Sequence, residues 1–235
     1  MSNNWTATKA LRQIGLRLLP PQDCLLCGAA AGAEMLCEPC NRSLPLLDDP
    51  QCPRCALPVP SGSVCGQCLA QPPHYDATVA RWRYGFPLDR LVHALKYAHR
   101  LAVADFFARA LQELSPPAAD LLIPLPLSPQ RLAERGFNQA VELARPLARR
   151  WDIPLSLDGC LRVADTVAQA TLPWKKRRRN VRHAFECRID LSGKRIAVID
   201  DVMTTGATLD EFARTLKNHG AAHVANWVCA RALKP

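Results

Sequence analysis

Two groups of residues in this chain have the types and spacing for chemistry. The first is Arg195-Ile-Ala-Val-Ile-Asp-Asp-Val-Met-Thr-Thr-Gly-Ala-Thr-Leu-Asp-Glu211. An apolar, β-branched run ends in two adjacent acids, a Thr/Gly loop follows, and a helical pattern then begins. This order places two carboxylates and a phosphate-sized loop at the carboxyl end of a buried strand, the edge at which open α/β sheets bind ligands. Loop N–H groups and a helix N-terminus attract phosphate. Thr204, Thr205 and Thr208 add hydroxyl donors, and Gly206, followed by Ala207, lets the backbone approach closely. Asp200 and Asp201 are unsuited to phosphate itself, but they suit the vicinal hydroxyls of a sugar or the holding of Mg²⁺. Phosphate, diol and metal together describe 5-phosphoribosyl-1-pyrophosphate (PRPP).

The second group takes eight of the eleven cysteines. Cys24-x2-Cys27, nine residues, Cys37-x2-Cys40 forms one unit, and Cys52-x2-Cys55, nine residues, Cys65-x2-Cys68 repeats it 28 positions later. A Cys-x2-Cys turn aims two thiolates at one tetrahedral ion, and two such turns close a structural zinc site with no open coordination position. Two structural Zn²⁺ ions are therefore expected, with disulfides as the rival reading. Sequential quartets are the simplest pairing, and an interleaved arrangement stays open. The segment has few large apolar residues, so metal is expected to supply most of its folding energy. Cys160, Cys187 and Cys229 stand apart in apolar surroundings and read as buried small hydrophobes.

A third feature is electrostatic. Lys175, Lys176, Arg177, Arg178 and Arg179 are consecutive, Arg182 and Arg188 follow, and Trp174 precedes them. One reading is capture of single-stranded DNA with Trp174 stacking on a base. A second is a loop that closes over PRPP and neutralises pyrophosphate as it leaves. The third is a solvated loop. Residues 1–75 carry balanced charge, so the whole +9 of the 235-residue chain lies in the remainder. Such a basic part suits phosphate-bearing partners. No window approaches the roughly 18–20 apolar residues of a membrane span. Met1-Ser-Asn-Asn lacks the cationic region of a signal peptide. A cytoplasmic location is expected, where paired cysteines bind metal in preference to forming disulfides.

The elements that must position these groups follow from periodicity. Residues 6–19 suit a short amphipathic helix. The Pro-rich stretch at 71–73 marks a boundary, giving a zinc module over 20–72 and a larger domain over 73–235. In that domain a strand is expected at 77–84, helices at 87–98 and 101–114, a strand at 121–126 and a helix from Pro129 that Gly136 interrupts. Asn138 is placed to cap the next helix, through about Arg150. Strands at 155–163 and 195–199, a helix at 208–218 and a strand at 222–230 complete a βαβ series. Alternation of this kind predicts an α/β fold with a mostly parallel sheet flanked by helices.

The run Val198-Ile-Asp-Asp-Val-Met-Thr-Thr-Gly-Ala-Thr208 resembles the PRPP motif of type I phosphoribosyltransferases over its full length. In that family the Asp pair binds the ribose hydroxyls and the loop holds the 5′-phosphate, which implies these roles for Asp200–Asp201 and Thr204–Thr208. His93-Ala-Leu-Lys-Tyr97, Ile123-Pro-Leu-Pro-Leu127, Arg131, Arg135-Gly-Phe-Asn-Gln139, Gly193-Lys-Arg195 and the cysteine-rich module are similar to the ComF/GntX competence-related family. This resemblance implies that Leu125 and Pro126 contact pyrophosphate, with Arg131 and Arg135 nearby. It also implies that Arg162 and Gln169 belong to a mobile segment over the site. The function implied is PRPP- and Mg²⁺-binding in support of DNA uptake or processing, with single-stranded DNA and a helicase or similar protein as partners. The rival is a non-catalytic PRPP-sensing or DNA-binding module whose zinc ribbons dock a partner. Replacing the five cations at 175–179 by Ala is expected to weaken single-stranded DNA binding. It should also flatten the salt dependence, measured as log Kd against log salt, by roughly 0.7 for each phosphate no longer neutralised.

Overall fold

The computed structural model describes residues 22–163 and 183–233. The expected helix at 6–19, Gln169, Trp174 and the basic residues 175–179 lie outside them.

The N-terminal cysteine repeat is built twice in the same way. β1 (Gln22–Asp23) pairs antiparallel with β2 (Ala30–Gly32), and α1 (Glu38–Arg42) starts directly after Cys37. α2 (Gly66–Ala70) starts directly after Cys65. Cys37 has φ −66° and ψ 157°, and Cys65 has φ −69° and ψ 156°. Each residue therefore caps a one-turn helix in the same extended conformation and places the fourth cysteine of its quartet one turn on. The ligand atoms of Cys24, Cys27, Cys37 and Cys40 lie within 4.8 Å of one another, and so do those of Cys52, Cys55, Cys65 and Cys68. The quartets are thus sequential, not interleaved.

The larger part runs β3 (Ala77–Arg83), α3 (Leu88–Tyr97), α4 (Ala102–Gln112), β4 (Leu121–Pro124), α5 (Pro129–Arg135), α6 (Gln139–Trp151), β5 (Cys160–Arg162), β6 (Phe185–Cys187), β7 (Arg195–Met203), α7 (Ala207–Asn218) and β8 (His223–Arg231). The central sheet has the order β3-β8-β7-β4 and is parallel throughout. Its middle strands read as continuous apolar runs because both faces are covered. Ile196 and Val198 point to one face, with Leu209, Phe212 and Leu216 of α7. Ala197 and Ile199 point to the other, with Leu91 and Leu95 of α3, Phe107 of α4 and Leu143 and Leu147 of α6. The period-2 alternation of a strand thus separates two cores. Cys160, Cys187 and Cys229 are buried in them, as small apolar fillers.

Each cysteine quartet joins a different core. Cys24, with Leu36 and Leu44, packs on the helical face of α3 and α4. Cys52, Cys55 and Cys68 pack on the α7 face. The segment from Pro45 to Pro53, which leads from between the quartets into the second one, runs along the outer edge of β3. Leu47 N donates to Arg81 O at 3.1 Å, Arg83 N to Pro45 O at 2.8 Å and Thr78 N to Pro53 O at 3.1 Å. The repeat is therefore held by packing on the sheet as well as by its metal ligands, which its poor apolar content did not reveal.

β4 stops at Pro124, short of the expected 126, and β6 is not among the expected strands; two further differences are larger. β7 continues to Met203, so Asp200 and Asp201 lie inside the strand. Its pairing with β8 runs on through Asp200↔Val228 and Met203↔Arg231, and backbone pairing outlasts the apolar run. The strand expected at 155–163 is confined to Cys160–Arg162, because residues 156–159 bend away after Leu155 makes a single parallel bridge to Leu122. Metal analysis of the purified chain is expected to find about two zinc ions, one per closed tetrathiolate site. One ion or none would overturn the double-site reading.

Candidate functional site

The carboxyl ends of β4 and β7, the N-terminus of α7 and the ends of α3, α5 and α6 converge on one cavity. It is lined by Lys96, Leu125, Pro126, Arg131, Arg135, Gln139, Arg162, Asp200, Asp201 and the run Thr204–Thr208, among others. Apart from Gln169 and the basic run 175–179, which lie outside the described residues, every residue named above for phosphate, pyrophosphate or ribose contact meets in this one cleft. Four basic side chains face two carboxylates in its wall. That balance favours an anionic ligand.

Asp201 is 2% exposed and Asp200 8%. Lys96 Nζ lies 2.5 Å from Asp201 Oδ2, and Gln139 Nε2 donates to Asp201 Oδ1 at 3.4 Å. Burial alone would raise the Asp201 pKa, but Lys96 overrides it and holds this carboxyl below the usual range. Burial likewise opposes the charge on Lys96, and Asp201 outweighs that and raises its pKa. Asp200 has the opposite balance. Burial, and then the neighbouring Asp201 charge, push its pKa up. Asp200 Oδ1 accepts from Asp201 N at 2.9 Å, which fixes the carboxylate against the strand. The two acids are therefore unequal, one an ion-paired anchor and the other a carboxyl at the cavity whose ionisation is opposed by burial and by its charged neighbour.

The loop that follows is shaped by Gly206. Its φ is 79°, and an added Cβ would lie 2.6 Å from Met203 Cε and 3.0 Å from Tyr75 Oη. Only glycine meets both conditions without strain. It serves as N-cap of α7, whose first residue Ala207 donates from N to Thr205 Oγ1 at 3.3 Å. The helix N-terminus and its partial positive charge thus point into the cleft.

The opposite wall is held in place by helix caps. Ser128 caps α5 by accepting from Arg131 N at 3.4 Å, and Gly136 ends that helix with φ 72°. Asn138 caps α6, as its spacing predicts, by accepting from Ala140 N at 2.9 Å. Its amide also donates to Leu125 O at 3.1 Å, which fixes the β4–α5 loop. Arg135 donates to Gln139 Oε1 at 3.1 Å, and its guanidinium lies 5.4 Å from the Tyr97 ring centroid. Arg162 is 7% exposed and lies 5.5 Å from the Phe185 ring centroid. Ring faces hold both guanidinium groups by cation–π attraction.

Two domain models match the chain. A double zinc ribbon domain model matches residues 15–69, and a phosphoribosyl transferase domain model matches residues 135–233. The DNA utilization protein YhgH of Escherichia coli O157:H7 is 34% identical over 92% of this chain and 100% of its own length. The chain belongs to the ComF family. Competence protein F of Haemophilus influenzae is 33% identical over 84% of this chain and 90% of its own length. Competence protein ComFC of Bacillus subtilis is 28% identical over 84% and 85%. The ComF-type chain thus combines two four-cysteine zinc-binding sites with a phosphoribosyltransferase-like α/β domain. Among the described residues, no helix is long and apolar enough to cross a membrane.

Lys96 and Gln139 were not singled out as site residues from sequence. Lys96 follows the apolar stripe Leu88, Leu91, Val92 and Leu95, so it reads as the first polar residue past a core face. Four positions on from Val92, it shares that face and is carried to the sheet edge. Replacing it with Met leaves Asp201 charged, buried and unpaired. The expected cost is about 3–5 kcal/mol at neutral pH. Asp201, depressed when folded, contributes stability above its unfolded pKa, and that contribution is lost as pH falls through its folded value. In Lys96→Met burial is no longer opposed by Lys96, so the carboxyl protonates at a higher pH than in wild type and the deficit should shrink as pH falls toward the carboxylate range. Urea unfolding at a series of pH values reads this.

Proposed function

We propose that this protein binds PRPP with Mg²⁺ in the cleft at the carboxyl end of the sheet and serves DNA uptake or processing in the cytosol. The observation that supports this best is the convergence of one Asp pair, one helix-capping phosphate loop and three arginines on a single cavity. Asp200 and Asp201 receive the ribose hydroxyls. Thr204, Thr205, Gly206, Ala207 and Thr208 hold the 5′-phosphate, and Leu125, Pro126, Arg131, Arg135 and Arg162 face the pyrophosphate. Asp201 is already satisfied by Lys96, so Asp200 and the pyrophosphate oxygens are the fitting ligands for Mg²⁺, which prefers a few carboxylates alongside substrate phosphates. Bound there, the metal would neutralise pyrophosphate charge. Gln169 joins the pyrophosphate contacts in this reading, and Trp174 with Lys175–Arg179 takes single-stranded DNA, all of them outside the described residues; the zinc module over 20–72 docks a helicase or another DNA-processing protein.

Transfer from PRPP needs little from the protein beyond orientation and charge neutralisation, because loss of pyrophosphate dominates the barrier. An attacking group bonds to the anomeric carbon as the carbon–oxygen bond to pyrophosphate breaks, and the arginines receive the departing charge. Among the described residues, the cavity wall has no aromatic ring on which an acceptor base would stack. That favours a second reading, in which PRPP is sensed without turnover.

Calorimetry with PRPP and Mg²⁺ tests the site. Asp200→Asn with Asp201→Asn should lose about 1.5–3 kcal/mol per charged hydrogen bond removed, roughly 10- to 150-fold in Kd each. Unchanged affinity sinks the assignment. A pyrophosphate-release screen across bases, nucleosides and single-stranded DNA separates the two readings, since turnover with any acceptor excludes the sensor.

A further inference from the structure

Arg231 closes β8 on the α7 face of the sheet and is 4% exposed. Its guanidinium reaches two parts of the chain at once. Nε donates to Cys55 O at 2.7 Å, inside the second four-cysteine group. Nη1 donates to Met203 O at 3.0 Å and Ala232 O at 2.7 Å, and also to Thr204 O. Met203 ends the strand that holds the Asp pair, and Thr204 opens the phosphate loop. A trans peptide is planar with its C=O and N–H opposed. Pinning the Thr204 carbonyl to Arg231 therefore fixes the plane of the Thr204–Thr205 peptide and turns the Thr205 N–H away from Arg231.

Those acceptors are all neutral carbonyls, and a buried cation needs a counter-charge. A tetrathiolate zinc site carries a formal charge of −2 and supplies the missing countercharge. Two more contacts join the same parts. Tyr75 is 4% exposed and wedges its hydroxyl against Gly206. His74 donates from N to Asp210 Oδ1 at 2.7 Å, and its Nδ1 lies 3.0 Å from the same oxygen, in the first turn of α7. A small cavity separates Cys55 and Cys68 from Thr205 and Gly206. The first four-cysteine group packs instead on the opposite face of the sheet.

We propose that Arg231 is a positioning residue through which the second zinc site sets the geometry of the loop at 203–208, so that zinc at Cys52, Cys55, Cys65 and Cys68 and phosphate in the cleft bind cooperatively. The ligand half of this rests on the PRPP reading above. The metal-to-loop half does not. Coupling is reciprocal, so PRPP must raise the affinity of that site for zinc by the same factor by which zinc strengthens PRPP binding, roughly 5- to 150-fold for a typical coupling.

Hydrogen exchange of the amides at 204–208 and equilibrium release of zinc to a competing chromogenic chelator, both on the full chain, test it. Arg231→Met should keep two zinc ions yet exchange faster at 204–208, and PRPP should no longer shift its zinc equilibrium with the chelator. Arg231→Lys, which keeps the charge but not the fork, should recover part of both. Should Arg231→Met fail to fold, Cys68→His keeps a four-ligand zinc site and removes one negative charge. It should loosen the loop, whereas Cys40→His in the first group should leave loop exchange as in wild type. Wild-type exchange at 204–208 in Arg231→Met, or in Cys68→His, overturns the proposal. So does PRPP binding that leaves release of both zinc ions unchanged. If PRPP does not bind the wild type, the ligand reading fails, and the exchange comparison still decides whether the metal orders the loop.

Discussion

Asp200 and Asp201 lie side by side in a strand that is buried on both faces, and their charges would expel each other from the fold if nothing opposed it. Lys96 makes the arrangement tenable. Its ammonium neutralises Asp201, while burial and the Asp201 charge oppose ionisation of Asp200. Much of the domain follows from this requirement. α3 must be amphipathic so that its stripe docks on the sheet, and it must end at the level where β7 ends so that the lysine reaches the acid. α6 must begin close by so that Gln139 takes the other oxygen.

The cleft is open on the side where these charges face solvent, and its remaining groups are fixed from behind. Asn138 and Ser128 spend their side chains on backbone, one on the β4–α5 loop and both on helix ends. Aromatic faces hold the guanidinium groups of Arg135 and Arg162. Little side-chain freedom is left for a ligand to remove, the condition under which a charged pocket binds with little ordering cost.

Much of this was legible in the chain. The sheet follows from alternating strand and helix patterns, and the loop from its Thr/Gly composition after two acids. The zinc quartets follow from strict Cys-x2-Cys spacing, and the α6 cap from Asn138 after Gly136. What stayed hidden has a common physical origin, because each case depends on contacts between segments distant in sequence. Lys96 reads as a helix-surface cation until the sheet brings Asp201 to it. Arg231 reads as the polar end of an apolar strand until the second cysteine turn lies against it. The extension of β7 to Met203 is set by its neighbour β8, and residues 156–159 lose their strand for want of one. The repeat itself looked like a free-standing metal knuckle because its core residues are supplied by the other domain.

The strip of chain between the two quartets has a consequence for how copies of this protein meet. It occupies the outer edge of β3, and at the other side of the sheet Leu122 N donates to Pro154 O and Leu122 O accepts from Ser156 N, so the β4 edge is also engaged. A row of unpaired backbone groups is what recruits a strand from a neighbouring molecule. Irregular segments of the same chain fill both rows in this sheet, so a newcomer has to strip one of them off before it can pair. The metal-binding repeat thereby doubles as a guard against runaway β-assembly in a protein whose central strands are among its most apolar stretches.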